Sequence, residues 1–246
     1  MTRWADWLRQ VPGLAPLVRS TRRAVGHPLG APRFAGSAAY WQQRYAEGGH
    51  SGAGSYGKFA VFKAEVLNGL FDELNLRSAI EFGCGDGNQL RLLTIADYLG
   101  VDVNPEAVAR CRAAFAGVPG RRFVLLSSAH GGARAADGFD TYRGERADCA
   151  LSLDVVYHLV EDAAFEAHMR LLFAAATRCV VIYSSDRDAD AADGPHVRHR
   201  CFTEWVAQQA PQWRLLRRVP NAYPFAGDWR TGSFADFHIY EPRPAA

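Results

Sequence analysis

The segment that most constrains this chain is Ile80-Glu81-Phe82-Gly83-Cys84-Gly85-Asp86-Gly87-Asn88-Gln89-Leu90. An apolar run ends at Gly83, glycines follow at alternate positions, and a helix is expected to start at once, over Asn88 to Leu93. Glycine lets backbone turn tightly and approach a ligand with no Cβ in the way. Strand, glycine turn and helix in succession specify an α/β sheet whose ligand sits at the carboxyl end of that strand. A nucleotide-phosphate loop requires G-x-x-x-x-G-K-[ST], and no lysine follows here. A dinucleotide loop places its last glycine one residue beyond Gly87.

The chain on either side keeps the same alternation. Strands are expected at Ser78 to Phe82, Tyr98 to Val103, Arg122 to Ser127, Asp148 to Leu153 and Cys179 to Tyr183. Helices are expected at 38–46, 58–74, Pro105 to Ala116, 161–176 and Phe202 to Gln209. Asn104 precedes Pro105 as an N-cap precedes the first helical position, and Thr203 offers a cap for the last helix. The strands 213–219 and 233–240 follow each other without a long helix, so they should pair antiparallel at one edge. The expectation is a Rossmann-like, doubly wound α/β fold: a mostly parallel seven-stranded sheet with an antiparallel edge strand.

Residues 1–36 read as a basic N-terminal extension and 37–246 as one domain. The extension carries six arginines against Asp6, and Pro12, Pro16, Pro28 and Pro32 interrupt it. Trp4, Trp7, Leu8, Val11, Leu14 and Val18 recur at helical spacing. A short amphipathic helix there would touch a membrane surface or an acidic partner, pack on the domain, or pack on a second subunit, which leaves a homodimer open. A net charge of +2 gives no footprint for nucleic acid. The cysteines 84, 111, 149, 179 and 201 form no C-x-x-C pair, which argues against a disulfide framework or a cysteine zinc site. No apolar run has membrane-spanning length, so stable membrane insertion is not expected and the cytoplasm is the expected compartment.

A second motif follows: Gly100-Val101-Asp102-Val103-Asn104-Pro105, with Asp102 at a strand end where a carboxylate can accept from both hydroxyls of a ribose. Together the two motifs resemble the class I S-adenosylmethionine-dependent methyltransferases, and the resemblance runs from about Tyr40 to Tyr240. It implies S-adenosyl-L-methionine as cofactor, with Glu81, Gly83, Cys84, Gly85, Gly87 and Gln89 around the methionine moiety. It likewise puts Asp102 and Val103 at the ribose. Ser127 and Ser128 stand where the family has an acid near the adenine; they hold the base or simply end a strand. The segment Tyr40-Trp41-Gln42-Gln43-Arg44-Tyr45 resembles one that caps the cofactor in several small-molecule members. Arg44 would then pair with the methionine carboxylate, or else form a surface ion pair, and 51–57 would be a flexible lid. NAD binding and a purely structural glycine turn are the rivals.

The reacting groups should follow the strand 148–153. Asp154 and His158 are four apart, so one helical turn would aim both the same way. His196 and His199 lie on the next loop of the same sheet edge. The arrangement resembles metal-assisted O-methyltransferases, which carry E-x-x-E-H here; Asp154 and Tyr157 replace both glutamates. His158 is thus the candidate base and Asp154 its orienter, with His199 as third member. Alternatively Asp154, His158 and His199 ligate Mg²⁺ or Mn²⁺ with waters completing the shell. The plainer readings are a helix cap at Asp154 and a core histidine at 158. The loops at 50–57, 154–158 and 196–200 look like those of bacterial saccharide O-methyltransferases, which implies a small-molecule or oligosaccharide acceptor. Tyr56, Trp205, Tyr223, Trp229, Arg198 and Arg200 are available to hold a sugar. A metal-free natural-product methyltransferase and a non-catalytic cofactor-binding scaffold are the alternatives.

Overall fold

The computed structural model describes residues 34–126, 140–188 and 194–244. Most of the basic extension, including its amphipathic pattern, lies outside the described residues, as do Ser127 and Ser128.

The strands are β1 (Ser78–Phe82), β2 (Asp97–Asp102), β3 (Arg121–Leu125), β4 (Ala147–Leu153), β5 (Ala176–Ser184), β6 (Trp213–Val219) and β7 (Asp236–Pro242). They form one sheet in the order β3-β2-β1-β4-β5-β7-β6. Neighbours from β3 to β5 are parallel, and β7 runs antiparallel between β5 and β6. The helices are α1 (Ser37–Ala46), α2 (Gly57–Glu73), α3 (Pro105–Ala114), α4 (Asp162–Ala175) and α5 (Phe202–Gln209).

Side chains along each strand alternate between two cores, as a pleated sheet covered on both faces requires. Ala79, Leu151, Leu153, Val181 and Tyr183 join Leu67 and Leu70 of α2 and Val108 of α3. Ile80, Phe82, Ala150, Val180 and Ile182 join Phe165, Met169 and Leu172 of α4 and Phe202 of α5. The switch point lies between β1 and β4, where a doubly wound sheet opens a crevice at its carboxyl edge.

Two local expectations are corrected. Only a 3-10 turn, Gln89–Leu92, follows the glycine loop. Residues 89–96 alone remain before β2 begins at Asp97, too few for a helix and a return to the sheet. Thr203 does not cap α5, whose N-cap position is Cys201. The Thr203 N–H and hydroxyl donate instead to Asp186, at 3.1 and 2.8 Å. Asn104 caps α3 as expected, accepting from the N–H groups of Glu106 and Ala107.

Candidate active site

At Gly83 and Gly85 the backbone takes φ of +84° and +57°, and neighbouring groups fill the space a side chain would need. A Cβ on Gly83 would stand 2.5 Å from Val155 Cγ2, and one on Gly85 would stand 2.7 Å from Ser51 Cβ. The turn is fixed by Asp102, whose Oδ2 accepts from the Gly85 N–H at 2.9 Å and whose Oδ1 accepts from the Asn104 N–H at 2.9 Å. Burial raises the Asp102 pKa against the pull of these backbone donors.

These residues open onto a cavity of about 600 Å³ at the carboxyl ends of β1, β2 and β4. That is a volume typical of small-ligand sites. Helix α1 closes one side with Trp41, Gln42 and Tyr45, and Ala164, Ala167, His168 and Leu171 of α4 form another wall. Glu161 fastens α1 down by accepting from both the N–H and the hydroxyl of Ser37, at 2.9 and 2.7 Å.

The segment 51–57 is docked. Asp86 accepts from the Ser51 N–H and hydroxyl and from the Tyr56 hydroxyl, at 3.0, 2.9 and 2.7 Å. Burial pushes the Asp86 pKa up, but these donors and the Asn88 N–H outweigh it and hold the group below the usual carboxylate value. Asn88 Nδ2 donates to the Ser55 carbonyl at 2.7 Å, so the segment is pinned to the glycine loop at both ends.

Asp154 follows β4 in the left-handed region, with φ of 60°. Its Oδ2 is 2.6 Å from Lys63 Nζ, and its Oδ1 accepts from the Tyr157 hydroxyl at 2.8 Å. His158 also lines the cavity, but through a 3-10 turn, Val156–His158, rather than the expected helix. Its Nδ1 is 3.0 Å from the His196 carbonyl, an arrangement that places the proton on Nδ1 and the lone pair on Nε2. Burial lowers its pKa to about 4, so the ring is neutral at pH 7. His196 stacks on His158 with ring centroids 5.7 Å apart, and Tyr40 of α1 stacks on His196 at 4.5 Å. His199 is buried beside Ser185, whose hydroxyl is 2.5 Å from its Nδ1.

The structure thus sorts the predicted residues. Gly83, Gly85, Asp102, Val103, Asp154 and His158 line one cavity; Glu81, Cys84, Gly87, Gln89, Arg44 and His199 do not. Glu81 is buried under Tyr98, whose hydroxyl donates to it at 2.5 Å. Cys84 packs against Gly100, and Gly87 closes on Phe115 and Cys111. Gln89 donates to the Ala60 carbonyl of α2, and Arg44 donates to the His50 carbonyl. The metal triad is not assembled, because Lys63 and Tyr157 occupy Asp154. Among the described residues no group of three His, Cys, Asp or Glu is placed to hold a metal ion.

The sugar-holding set is dispersed as well. Trp205 packs on Phe165 and Phe173, and Arg198 and Arg200 pair with Asp162. Tyr223 packs on Phe59 and Phe62; Trp229 stays exposed. Sequence reasoning missed Lys63. Only the apolar company of Lys63 within α2, between Phe62 and Ala64, signals that this lysine is buried.

A profile described as a methyltransferase domain matches residues 80–178, from the strand before the glycine turn to β5. The methyltransferase domain of a bacterial Hen1 protein (CtHen1-C) superposes with a TM-score of 0.52 at 19% identity, covering 73% of this chain and 96% of that one. This is the class I S-adenosylmethionine-dependent methyltransferase fold. Two more structures with the class I fold are similar. The N-methyltransferase NodS from Bradyrhizobium japonicum WM9, in complex with S-adenosyl-L-homocysteine, matches at TM-score 0.52 and 15% identity, over 74% of this chain and 86% of NodS. Magnesium protoporphyrin IX methyltransferase from Synechocystis PCC 6803, with bound S-adenosylmethionine, matches at TM-score 0.50 and 14% identity, over 85% of this chain and 94% of that one. No curated protein matches this chain in sequence. Among the described residues no helix is long and apolar enough to cross a membrane.

Proposed function

We propose that the chain transfers a methyl group from S-adenosylmethionine to a hydroxyl oxygen of a small molecule, and that a sugar hydroxyl of a saccharide or glycoside is the acceptor. One observation carries the reading: one cavity has Asp102 and Tyr45 among its walls together with Asp154 and His158.

The residues fit the cofactor. The Tyr45 hydroxyl is buried with no hydrogen-bond partner among the described residues, 3.2 Å from where a Gly85 Cβ would stand. A buried donor left unmade costs about 1–3 kcal/mol, which a polar ligand group would recover. Asp102 keeps lone pairs for ribose hydroxyls beyond the two it gives to backbone. The cofactor supplies an electrophilic methyl on a sulfonium sulfur. A magnesium or manganese ion does not fit, since Asp154 is already neutralised by Lys63 at 2.6 Å.

The protein's own work is to orient, to exclude water and to take a proton. Helix α1 and the docked segment 51–57 shield the cavity, which matters because water competes as an acceptor. Methyl transfer to a neutral hydroxyl leaves an acidic oxonium, so even the weakly basic Nε2 of His158 can receive its proton. Uncharged at pH 7, that nitrogen is ready to accept.

A saccharide would rest on the connection between β6 and β7. Lys58 ties that connection to α2 through the Thr231 carbonyl, and Phe234 ties it to Tyr157. Exposed Trp229 and Phe225 there offer aromatic faces to a sugar. The apolar lining by Val155, Leu159 and Trp41 favours a second reading, a phenolic natural product.

The test is methyl transfer from labelled S-adenosylmethionine to mannosides, glucosides and small phenols, with Mg²⁺ and with chelator. Transfer to a sugar that chelator leaves intact supports the proposal. Label on phenols alone moves the chain to the second reading, chelator sensitivity overturns the metal-free chemistry, and binding without transfer supports a scaffold.

A further inference from the structure

Lys63 is fully buried in the middle of α2, and so far it serves only to exclude a metal ion from Asp154. Its ammonium meets Asp154 Oδ2 at 2.6 Å and lies 5.4 Å from the centre of the Tyr183 ring. Asp154 is held from several directions at once. Its N–H donates to the Tyr183 carbonyl at 2.9 Å, Tyr157 holds Oδ1, and Gly54 of the docked segment presses so close that a Cβ there would stand 2.5 Å from Oδ2. The aspartate backbone is in the left-handed region, which a non-glycine residue adopts only where its surroundings insist.

Burying an ion pair is weak grounds for stability, because desolvation offsets the attraction. A lysine buried beside a carboxylate that lines the ligand cavity calls for another reason. A bare carboxylate there would attract the cationic donor before reaction, while its partial charge is wanted only as a hydrogen-bond acceptor that orients the acceptor molecule. Interactions that stabilise the ground state more than the transition state slow the chemical step.

Resting on the reading of the cavity as an S-adenosylmethionine site, we propose that Lys63 is a positioning residue. Its ammonium neutralises Asp154 and fixes the carboxylate between Tyr157 and Gly54, so that the cavity presents an oriented acceptor rather than a net negative charge to the sulfonium. Asp154 then takes the hydrogen bond of a neighbouring hydroxyl of the acceptor, leaving the reacting one to His158 Nε2, and Lys63 acts only through Asp154.

The consequence is readable without any acceptor, from the relative affinity for cationic S-adenosylmethionine and neutral S-adenosylhomocysteine. Calorimetric titration of Lys63→Met should show at least a tenfold rise in preference for the sulfonium form, with affinity for the thioether form little changed. Asp154→Asn, which leaves the ammonium unmatched, should move the preference at least tenfold the other way. The double variant Lys63→Met/Asp154→Asn should restore the wild-type ratio. Should Lys63→Met fail to fold, Asp154→Asn, which shifts the ratio, and the double variant, which restores it, still carry different expectations. Ratios that stay constant while both affinities fall together would make the pair merely structural and overturn the proposal. If wild type binds neither compound, it is the cofactor reading that fails, not the role of Lys63.

Discussion

Ser51 gives Asp86 two hydrogen bonds, one from its N–H at 3.0 Å and one from its hydroxyl at 2.9 Å, and so fastens the segment before α2 to the turn after β1. Asp86→Ala should free residues 48–57, which amide hydrogen exchange will read as lost protection there with the sheet unaffected. Because Asp86 titrates below its ordinary value when folded, the contact is intact at neutral pH and is lost as pH falls through that lowered value. Unchanged exchange in the variant would show that the segment docks without this carboxylate.

Asp102→Ala should weaken S-adenosylhomocysteine binding by about 10- to 100-fold, the worth of one or two hydrogen bonds to a charged group. The substitution also releases the Gly85 and Asn104 N–H groups, so the loop should loosen with it. Affinity within threefold of wild type in a calorimetric titration would remove Asp102 from the ribose.

His168 of α4 is buried with Ser152 Oγ 2.8 Å from its Nε2, and burial lowers its pKa to about 4. The unfolded chain, titrating near 6.5, binds more protons than the native one between those values, so stability falls as pH drops from 6.5 to 4. The contribution is about 3 kcal/mol. Urea midpoints measured across that window should decline less in His168→Gln than in wild type; parallel declines would contradict the assignment.

Glu81 has the opposite sign. Burial raises its pKa to about 7 against the hydrogen bond from Tyr98 and the charge of Lys63. Its contribution is fully present below about 4.5 and is lost as pH rises through 7. Glu81→Gln should therefore melt higher than wild type at pH 8 and bind S-adenosylhomocysteine unchanged, since Glu81 does not line the cavity. A drop in affinity would return this carboxyl to the cofactor.

The strand and helix order was legible because each element carries its own signal: a short, almost wholly buried run in β1 and β4, or Asn104 and Pro105 opening α3. The crevice was legible for the same reason, since the positive φ of Gly83 and Gly85 is written into residue type. What the sequence did not show was where long side chains end. Gln89, Arg44 and Glu81 sit in motif positions, yet each is consumed by a nearer partner, Ala60, His50 or Tyr98. Lys63 and Asp154 are far apart in the chain, and nothing local to either announces the pair. Spacing suggested that Asp154 and His158 share a helical face; the left-handed backbone at 154 and a 3-10 turn bring them to one cavity by another path.

The reversed position of β7 carries a consequence for how such a chain is born. Asp236–Pro242 lies between β5 and β6, although both of those strands leave the ribosome earlier. Until it arrives, β5 offers an open edge of Val180, Val181 and Ile182 to any passing strand, and β6 has no partner at all. Pairings of long sequence separation form slowly, and unfinished sheets are the species that aggregate. The arginines of β6, Arg214, Arg217 and Arg218, are charges of the kind that guard an edge. Vectorial synthesis would therefore leave the nascent sheet dependent on its last strand, and on whatever shelters β5 in the meantime.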